Sequence, residues 1–494
     1  MNAPAASRDR KQTTTHRLNS TSPQSASHKL RHELGLRDLV PMQILMVVGV
    51  TWAGLAARQG STHVAFWLLG VLLLFLPVAG VVHYCVKIWP LEGGVYQWTK
   101  YALGPFAGFL SAWNFAIWAL LVVSALGIQC ATSLSYALGP GAAWMESSQG
   151  LITALNIGLF TLILLVNIPG LGLGRWVAHF GTAVTVLITL LLIVLLFYHP
   201  HASRAHPHVS PQPPFSLGLP ALTMLSLNLF SKLTFNALTG LEQVAVFAGE
   251  ARNAARTILR SAWLAAPVIV VIYMSMAGAM LSYTPADRID LTGPIPQVLA
   301  AAFDTGGSAS SSAGLLLGRG AILLLAVATV AQYAIIVAET ARLPMVAAWD
   351  HLLPAWFTRL HPRYRTPTRS LAVIVVLAVL LCFLATASSG NQEAFQVLVT
   401  CGNVGYAINY LLMFSVPLVA GMRFGARPGL LLRAGCVAGM LVTLVSIVFA
   451  LIPVVDVRSS GMYALKIALT TLAANLLGAA LYWRGNRIRS RAQS

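Results

Sequence analysis

Apolar residues run along this chain in blocks about as long as a membrane helix, roughly 20 residues, separated by short polar or basic stretches. Measured with that ruler, the pattern predicts about twelve spans. In the first half these are Val40 to Ala57, Val64 to Val86, Phe106 to Ala131, Leu151 to Ile168, Trp176 to Tyr198 and Leu219 to Ala248. In the second half they are Ser261 to Leu281, Ala321 to Thr340, Leu371 to Ala387, Phe395 to Ala420, Ala434 to Val455 and Ala464 to Trp483. The predicted fold class is an all-α polytopic membrane protein. Two spans are interrupted at glycines: Gly49-Val50-Thr51-Trp52-Ala53-Gly54 in the first, and Asn236-Ala237-Leu238-Thr239-Gly240 in the sixth. Paired interruptions of this kind point to the central binding site of a transporter.

Composition agrees with the pattern. The chain has 494 residues, of which 57% are hydrophobic and 9% charged, against about 25% charged in a soluble domain. A net charge of +18 would suit a nucleic-acid partner, but its distribution excludes one. With the N-terminus inside, the external segments hold only Arg58, Arg204, Arg288, Arg319, Arg458 and Lys466, and Lys232 lies within a span. The remaining Lys and Arg all fall inside, as positive-inside topology requires. Both termini are therefore expected in the cytoplasm. Residues 1–38 read as a disordered basic tail, 39–483 as the transmembrane domain and 484–494 as a second basic tail. The first tail lacks an early apolar core, so no signal peptide is expected and the first span acts as the insertion signal.

Unwinding a membrane helix is tolerated where the freed groups are buried in protein or line a polar cavity. Freed N–H groups at a half-helix N-terminus suit an anion such as an amino acid carboxylate. Close packing through small residues would explain Gly49 to Gly54 equally well. Glu242, two residues past the second break, is a carboxylate at membrane depth, a default functional candidate. It either carries a proton and gates, or makes a structural hydrogen bond to a neighbouring helix. Lys232, one turn before the break, either snorkels to the outer interface or faces the cavity in a coupling or gating role. Glu250 with Arg252, Arg256 and Arg260 marks the inner exit of the sixth span, as an ion network or a topogenic cluster. Glu339 and Arg342 are spaced to pair on one helix face, a structural role.

Other chemistries find little support. Cys85, Cys130, Cys382, Cys401 and Cys436 form no CxxC pair and read as small core residues. His199, His201, His206 and His208 lie in a Pro-rich external loop without Cys or acidic company, so no metal site is assigned. No cofactor is implied. There is no nucleophile elbow, Gly-Lys-Ser/Thr phosphate loop or HExxH motif, so neither an ATP-driven pump nor a membrane-embedded enzyme is expected. The long external loops His199 to Pro214 and Tyr283 to Gly318, the latter with a Gly/Ser tract at Gly306 to Gly314, read as flexible covers.

Four stretches together resemble the amino acid–polyamine–organocation superfamily of transporters. They are Pro90 to Trp98 with Gly104-Pro105-Phe106, Phe235 to Arg256, Arg342 to Pro354 with Thr366-Pro367, and Tyr406 to Tyr410. The most specific is Phe235 to Arg256, similar to the family's Phe-x-Gly-x-Glu segment and the acidic-Asn-Pro-Arg turn after it. The resemblance implies a leucine-transporter fold. Spans one to five and six to ten would be inverted repeats, followed by two peripheral helices. Spans one and six would break at the midplane, and a bundle of spans one, two, six and seven would rock. It implies a permease for amino acids or related amines, working as a proton-coupled symporter or an exchanger in the plasma or inner membrane. A non-transporting nutrient sensor on the same fold is the alternative. The family's substrate-binding backbone maps onto Gly49 to Gly54 and Ala237 to Gly240, with Trp52 and Asn236 shaping the pocket, and its intramembrane Glu maps onto Glu242. Three departures stand out. The first break has Trp52-Ala53-Gly54 where Gly-Ser-Gly is common. The fifth span has Arg175, His179, Thr182 and Thr185 but no Lys. Asn253 is followed by Ala254 instead of Pro.

Overall fold

In hydrocarbon each backbone N–H and C=O must find its partner within its own segment, so apolar blocks become helices. A computed structural model describes residues 34–89, 94–198, 213–218, 220–244, 253–303, 312–346, 353, 356–423, 425 and 427–493. The turn at Pro90 to Gly93, the four loop histidines and Glu250 with Arg252 lie outside the described residues.

The first span is α1 (Leu36–Val47) and α2 (Val50–Ala57), separated at Val48 and Gly49. The second joins α3 (His63–Gly70) to α4 (Leu76–Ile88) through a π turn. A short helix, α5 (Gly94–Leu103), buries Val95, Trp98 and Ala102. The third span is α6 (Pro105–Ser124) with α7 (Leu126–Leu138). Spans four and five are α8 (Gln149–Asn167) and α9 (Leu171–Tyr198). The sixth begins as α10 (Met224–Ala237) and then unwinds. The seventh is α11 (Ala254–Tyr283), entered through Asn253 in the left-handed conformation that Asn tolerates. After α12 (Pro294–Phe303) come α13 (Ser312–Val346), α14 (Thr368–Ser388) and α15 (Asn391–Arg423), the eighth to tenth spans. Two outer helices follow, α16 (Leu430–Ala450) and α17 (Ser460–Gln493). Among the described residues ten helices are long and apolar enough to cross a membrane. The two interrupted spans complete the expected set.

The core sits where α1, α10, α11, α13 and α15 converge; Tyr273, Ile335, Val337, Tyr410 and Phe414 are fully buried there. All five cysteines are buried and free. The stretch after α11 departs from the expected flexible cover: α12 is a packed helix with Ile295, Val298 and Leu299 buried. Its Pro294 lies so close to Gly54 that a Cβ there would overlap the ring. Proline in a helix's first turn gives up an N–H that has no acceptor anyway, so Pro294 and Pro296 open a helix where composition suggests a loop.

The third span bends between α6 and α7, and the bend has a cause of the usual kind, a side chain inserted into the helical ladder. Fully buried Asn156 of α8 accepts from the Gly127 N–H at 2.7 Å and donates to the Ser124 carbonyl at 3.3 Å. Asn156→Ala is expected to lower stability by about 1–2 kcal/mol, the scale of interhelical hydrogen bonds in membranes. Thermal unfolding in detergent checks this; an unchanged midpoint would mean that the bend does not need the asparagine.

Candidate functional site

Breaking α1 from α2 frees carbonyls at the midplane, and two side chains from other spans satisfy them. The Tyr273 hydroxyl donates to the Val47 carbonyl at 2.7 Å and accepts from the Gly49 N–H at 2.9 Å. Gln332 of α13 directs its amide NH₂ at the Leu45, Val48 and Met46 carbonyls, at 2.6, 3.1 and 3.3 Å. At the start of α2 the Trp52 N–H donates to the Gly49 carbonyl at 3.1 Å, while the N–H groups ahead of it have no acceptor within the helix.

The second break is built by the same means. Gly240 sits at φ +104°, a conformation that favours glycine, and its N–H donates to the Tyr410 hydroxyl at 2.9 Å. The Tyr410 hydroxyl donates in turn to one Glu242 carboxylate oxygen at 2.6 Å, and Tyr406 donates to the other. Gln243 reaches Tyr406 at 3.1 Å, and Gln43 of α1 donates to the Leu241 carbonyl at 3.0 Å, tying the two breaks together. Glu242 is 2% exposed. Trp118 stacks on Tyr406 and Phe235 packs edge-on against Tyr410, so this carboxylate sits in an aromatic shell.

Between the breaks lie two narrow chambers of about 30 and 40 Å³. A cavity of roughly 10–15 Å³ holds one water, so each has room for water but not for an amino acid in this conformation. Trp52, Asn236, Val399 and Asn403 line both, and the Trp52 indole lies directly over Gly49, where a Cβ would collide with it. Trp52 therefore narrows the pocket, as its bulk suggests.

The residues expected at the site divide into two groups. Gly49, Trp52, Asn236, Thr239 and Lys232 line the chambers. Ala53, Ala237, Leu238, Gly240 and Glu242 are buried beside them, and Gly54 packs outward on α12. Val50 and Thr51 contribute backbone at the start of α2; their side chains lie outside the described residues. Lys232 does not snorkel: it is 7% exposed, and its ammonium donates to the Ile452 carbonyl at 2.6 Å. Glu339 and Arg342 form no ion pair; both Glu339 oxygens lack a hydrogen-bond partner among the described residues, while Arg342 donates to the Ala338 carbonyl.

The amino acid permease family model matches residues 34–473. The chain belongs to the amino acid permease family. An uncharacterized transporter of Mycobacterium tuberculosis is 26% identical over 82% of this chain and 84% of its own length. The branched-chain amino acid permease BcaP of Bacillus subtilis is 23% identical over 69% of this chain and 72% of its own. The low-affinity putrescine importer PlaP of Escherichia coli is 24% identical over 70% and 72%. The crystal structure of MhsT in complex with L-phenylalanine superposes with a TM-score of 0.56, at 12% identity, over 90% of this chain and all of that one. That likeness is one of fold. The chain is thus a multi-pass secondary transporter of the leucine-transporter fold.

In this permease the first span is tied at both ends. At one end, Arg58 donates to the Ile289 carbonyl at 2.9 and 3.1 Å and to the Val454 carbonyl at 3.0 Å. At the other, Asp38 meets His179 of α9 at 3.3 Å, and Thr182 donates to the Pro41 carbonyl at 2.7 Å. Beyond Arg58 lies a vestibule of about 640 Å³ lined by Glu146, Asp290, Glu393, Asp456 and Arg458. Partial burial raises the pKa of Glu146 from its ordinary value; a Ser135 hydrogen bond opposes the shift and nearby Asp290 adds to it. Gln332→Leu leaves three midplane carbonyls without their donor. An expected loss of about 1–3 kcal/mol, with slowed uptake, is checked by thermal unfolding beside a transport assay. Wild-type behaviour in both would show that the first break stands without Gln332.

Proposed function

We propose that the permease moves amino acids or related amines across the plasma or inner membrane by alternating access, with both termini in the cytoplasm. The observation that carries this is the pair of broken helices facing each other across the two chambers. The freed N–H groups of α2 suit a carboxylate, and the unwound stretch Ala237–Gly240 with Asn236 offers carbonyl and amide acceptors for an ammonium. Relatives named as amino acid permeases and a putrescine importer support the substrate range. The distribution of Lys and Arg supports the orientation. In this reading residues 39–483 form the transport domain between two basic tails, and the protein has no enzymatic step. Transport is driven by the proton gradient or by exchange.

Glu242 couples or gates. Its two tyrosine donors suit the ionised form, and a proton arriving there would remove the need for one of them. That would loosen the contact between α15 and the sixth span. Uptake of labelled amino acids and amines into proteoliposomes, with and without an inward proton gradient, tests the transport reading. Gradient-stimulated uptake means symport, and uptake only into preloaded vesicles means exchange. Binding without any flux would favour a sensor. Glu242→Gln is expected to reduce gradient-driven uptake at least ten-fold and to flatten its dependence on external pH, with expression and membrane insertion unchanged. Wild-type rates across pH in this variant would remove Glu242 from coupling.

A further inference from the structure

Lys232 is the only charged side chain among the described residues that line the two chambers. The Ile452 carbonyl occupies one of its three ammonium donors and neutralises none of its charge. A buried cation without a counter-ion is unfavourable at membrane depth unless a partner arrives. Among the described residues the protein supplies none. Lys232 makes no ion pair among the described residues, and the carboxylate nearest along the chain, Glu242, already accepts from Tyr406 and Tyr410.

The position of the ammonium fits a ligand anchored at the breaks. Lys232 precedes Asn236 by one helical turn, about 6 Å along α10. An amino acid whose head group lies between α2 and Asn236–Thr239 would extend its side chain along that turn. We infer that the substrate carries a second carboxylate there, seated on Lys232: an acidic amino acid of aspartate or glutamate size. A diamine in the same place would set a second cation beside Lys232 with no carboxylate to offset either, so polyamines are rejected. The outer vestibule does not make this selection, because its four carboxylates are nearly balanced. Arg458 lines it, Lys466 pairs with Glu393 at 2.7 Å, and Arg58 lies close enough to feel Asp290 and Asp456.

The inference rests on the amino acid reading proposed above, and one experiment separates the two. The full chain in proteoliposomes is offered labelled L-glutamate, L-aspartate, L-leucine, L-phenylalanine and putrescine, as wild type, Lys232→Met and Lys232→Arg. The wild type is expected to take up an acidic amino acid with at least ten-fold higher kcat/KM than leucine. Lys232→Met should lower that ratio at least ten-fold, and Lys232→Arg should restore most of it. If Lys232→Met fails to reach the membrane, the wild-type panel and Lys232→Arg still decide. A wild-type preference for leucine or phenylalanine, or an unchanged ratio in Lys232→Met, overturns the acidic-substrate assignment and leaves the amino acid reading standing. Uptake of putrescine alone overturns the acidic-substrate assignment and leaves the wider reading of amino acids or related amines standing; flux of nothing offered, even into preloaded vesicles, overturns both.

Discussion

The rest of this structure depends on one constraint: a helix unwound in hydrocarbon exposes polar groups that water cannot reach, at several kcal/mol for each one left unpaired. The chain meets the constraint twice by the same device. A glycine N–H at each break donates to a tyrosine hydroxyl on another span, Gly49 to Tyr273 and Gly240 to Tyr410. Each hydroxyl then passes its own proton on, to the Val47 carbonyl in one case and the Glu242 carboxylate in the other. A tyrosine suits this work because it accepts and donates through one atom while its ring packs in an apolar core. Gln332 adds the donors that Tyr273 lacks.

Glu242 is set apart by the second relay. Its placement in the sequence leaves a coupling or gating role and a structural hydrogen bond both open, and the bonds it makes bear on each. The bonds that make it structural, from Tyr406 and Tyr410 of α15, are also the bonds a protonation event would rearrange. A carboxylate held by two hydroxyls is well satisfied when ionised and over-supplied with donors when neutral. Any proton it takes up is therefore felt first at the contact between α15 and the unwound segment.

The spans, both breaks and the placing of a carboxylate, Glu242, just past the second break were legible in the sequence because each is a local signal: a run of apolar residues, a glycine in it, a charge in it. The partners were not, because they lie far along the chain; Tyr273 is 224 residues from Gly49, and Tyr410 is 170 from Gly240. Some trace of them was present. Tyr406 and Tyr410 stand four apart on one helix face, and Gln332 is an amide inside an apolar span, but nothing in sequence says which carbonyl or carboxylate each will meet. Lys232 shows the same limit from the other side. Its distance from the break is plain, while the choice between interface and cavity is made by the loop carbonyl of Ile452, which no helical period locates. The helix α12 was hidden by its company, two prolines in its own first turn and a Gly/Ser tract after it.

The ties on the first span differ in kind from the caps at its break, and the difference bears on motion. Arg58 at one end and Asp38 with Thr182 at the other bind at the ends of the span, where water can replace each bond at little net cost. The caps from Tyr273, Gln332 and Tyr410 lie buried in the protein, where only the small chambers offer room for a replacing water. A cycle of alternating access can therefore release one end at a time, but it has to carry the capped breaks through intact. Gln43, bonded to the Leu241 carbonyl, ties the first span to the sixth. Trp52 then becomes the element with freedom to change: it lies over Gly49 between the two chambers, and its indole nitrogen forms no bond among those described.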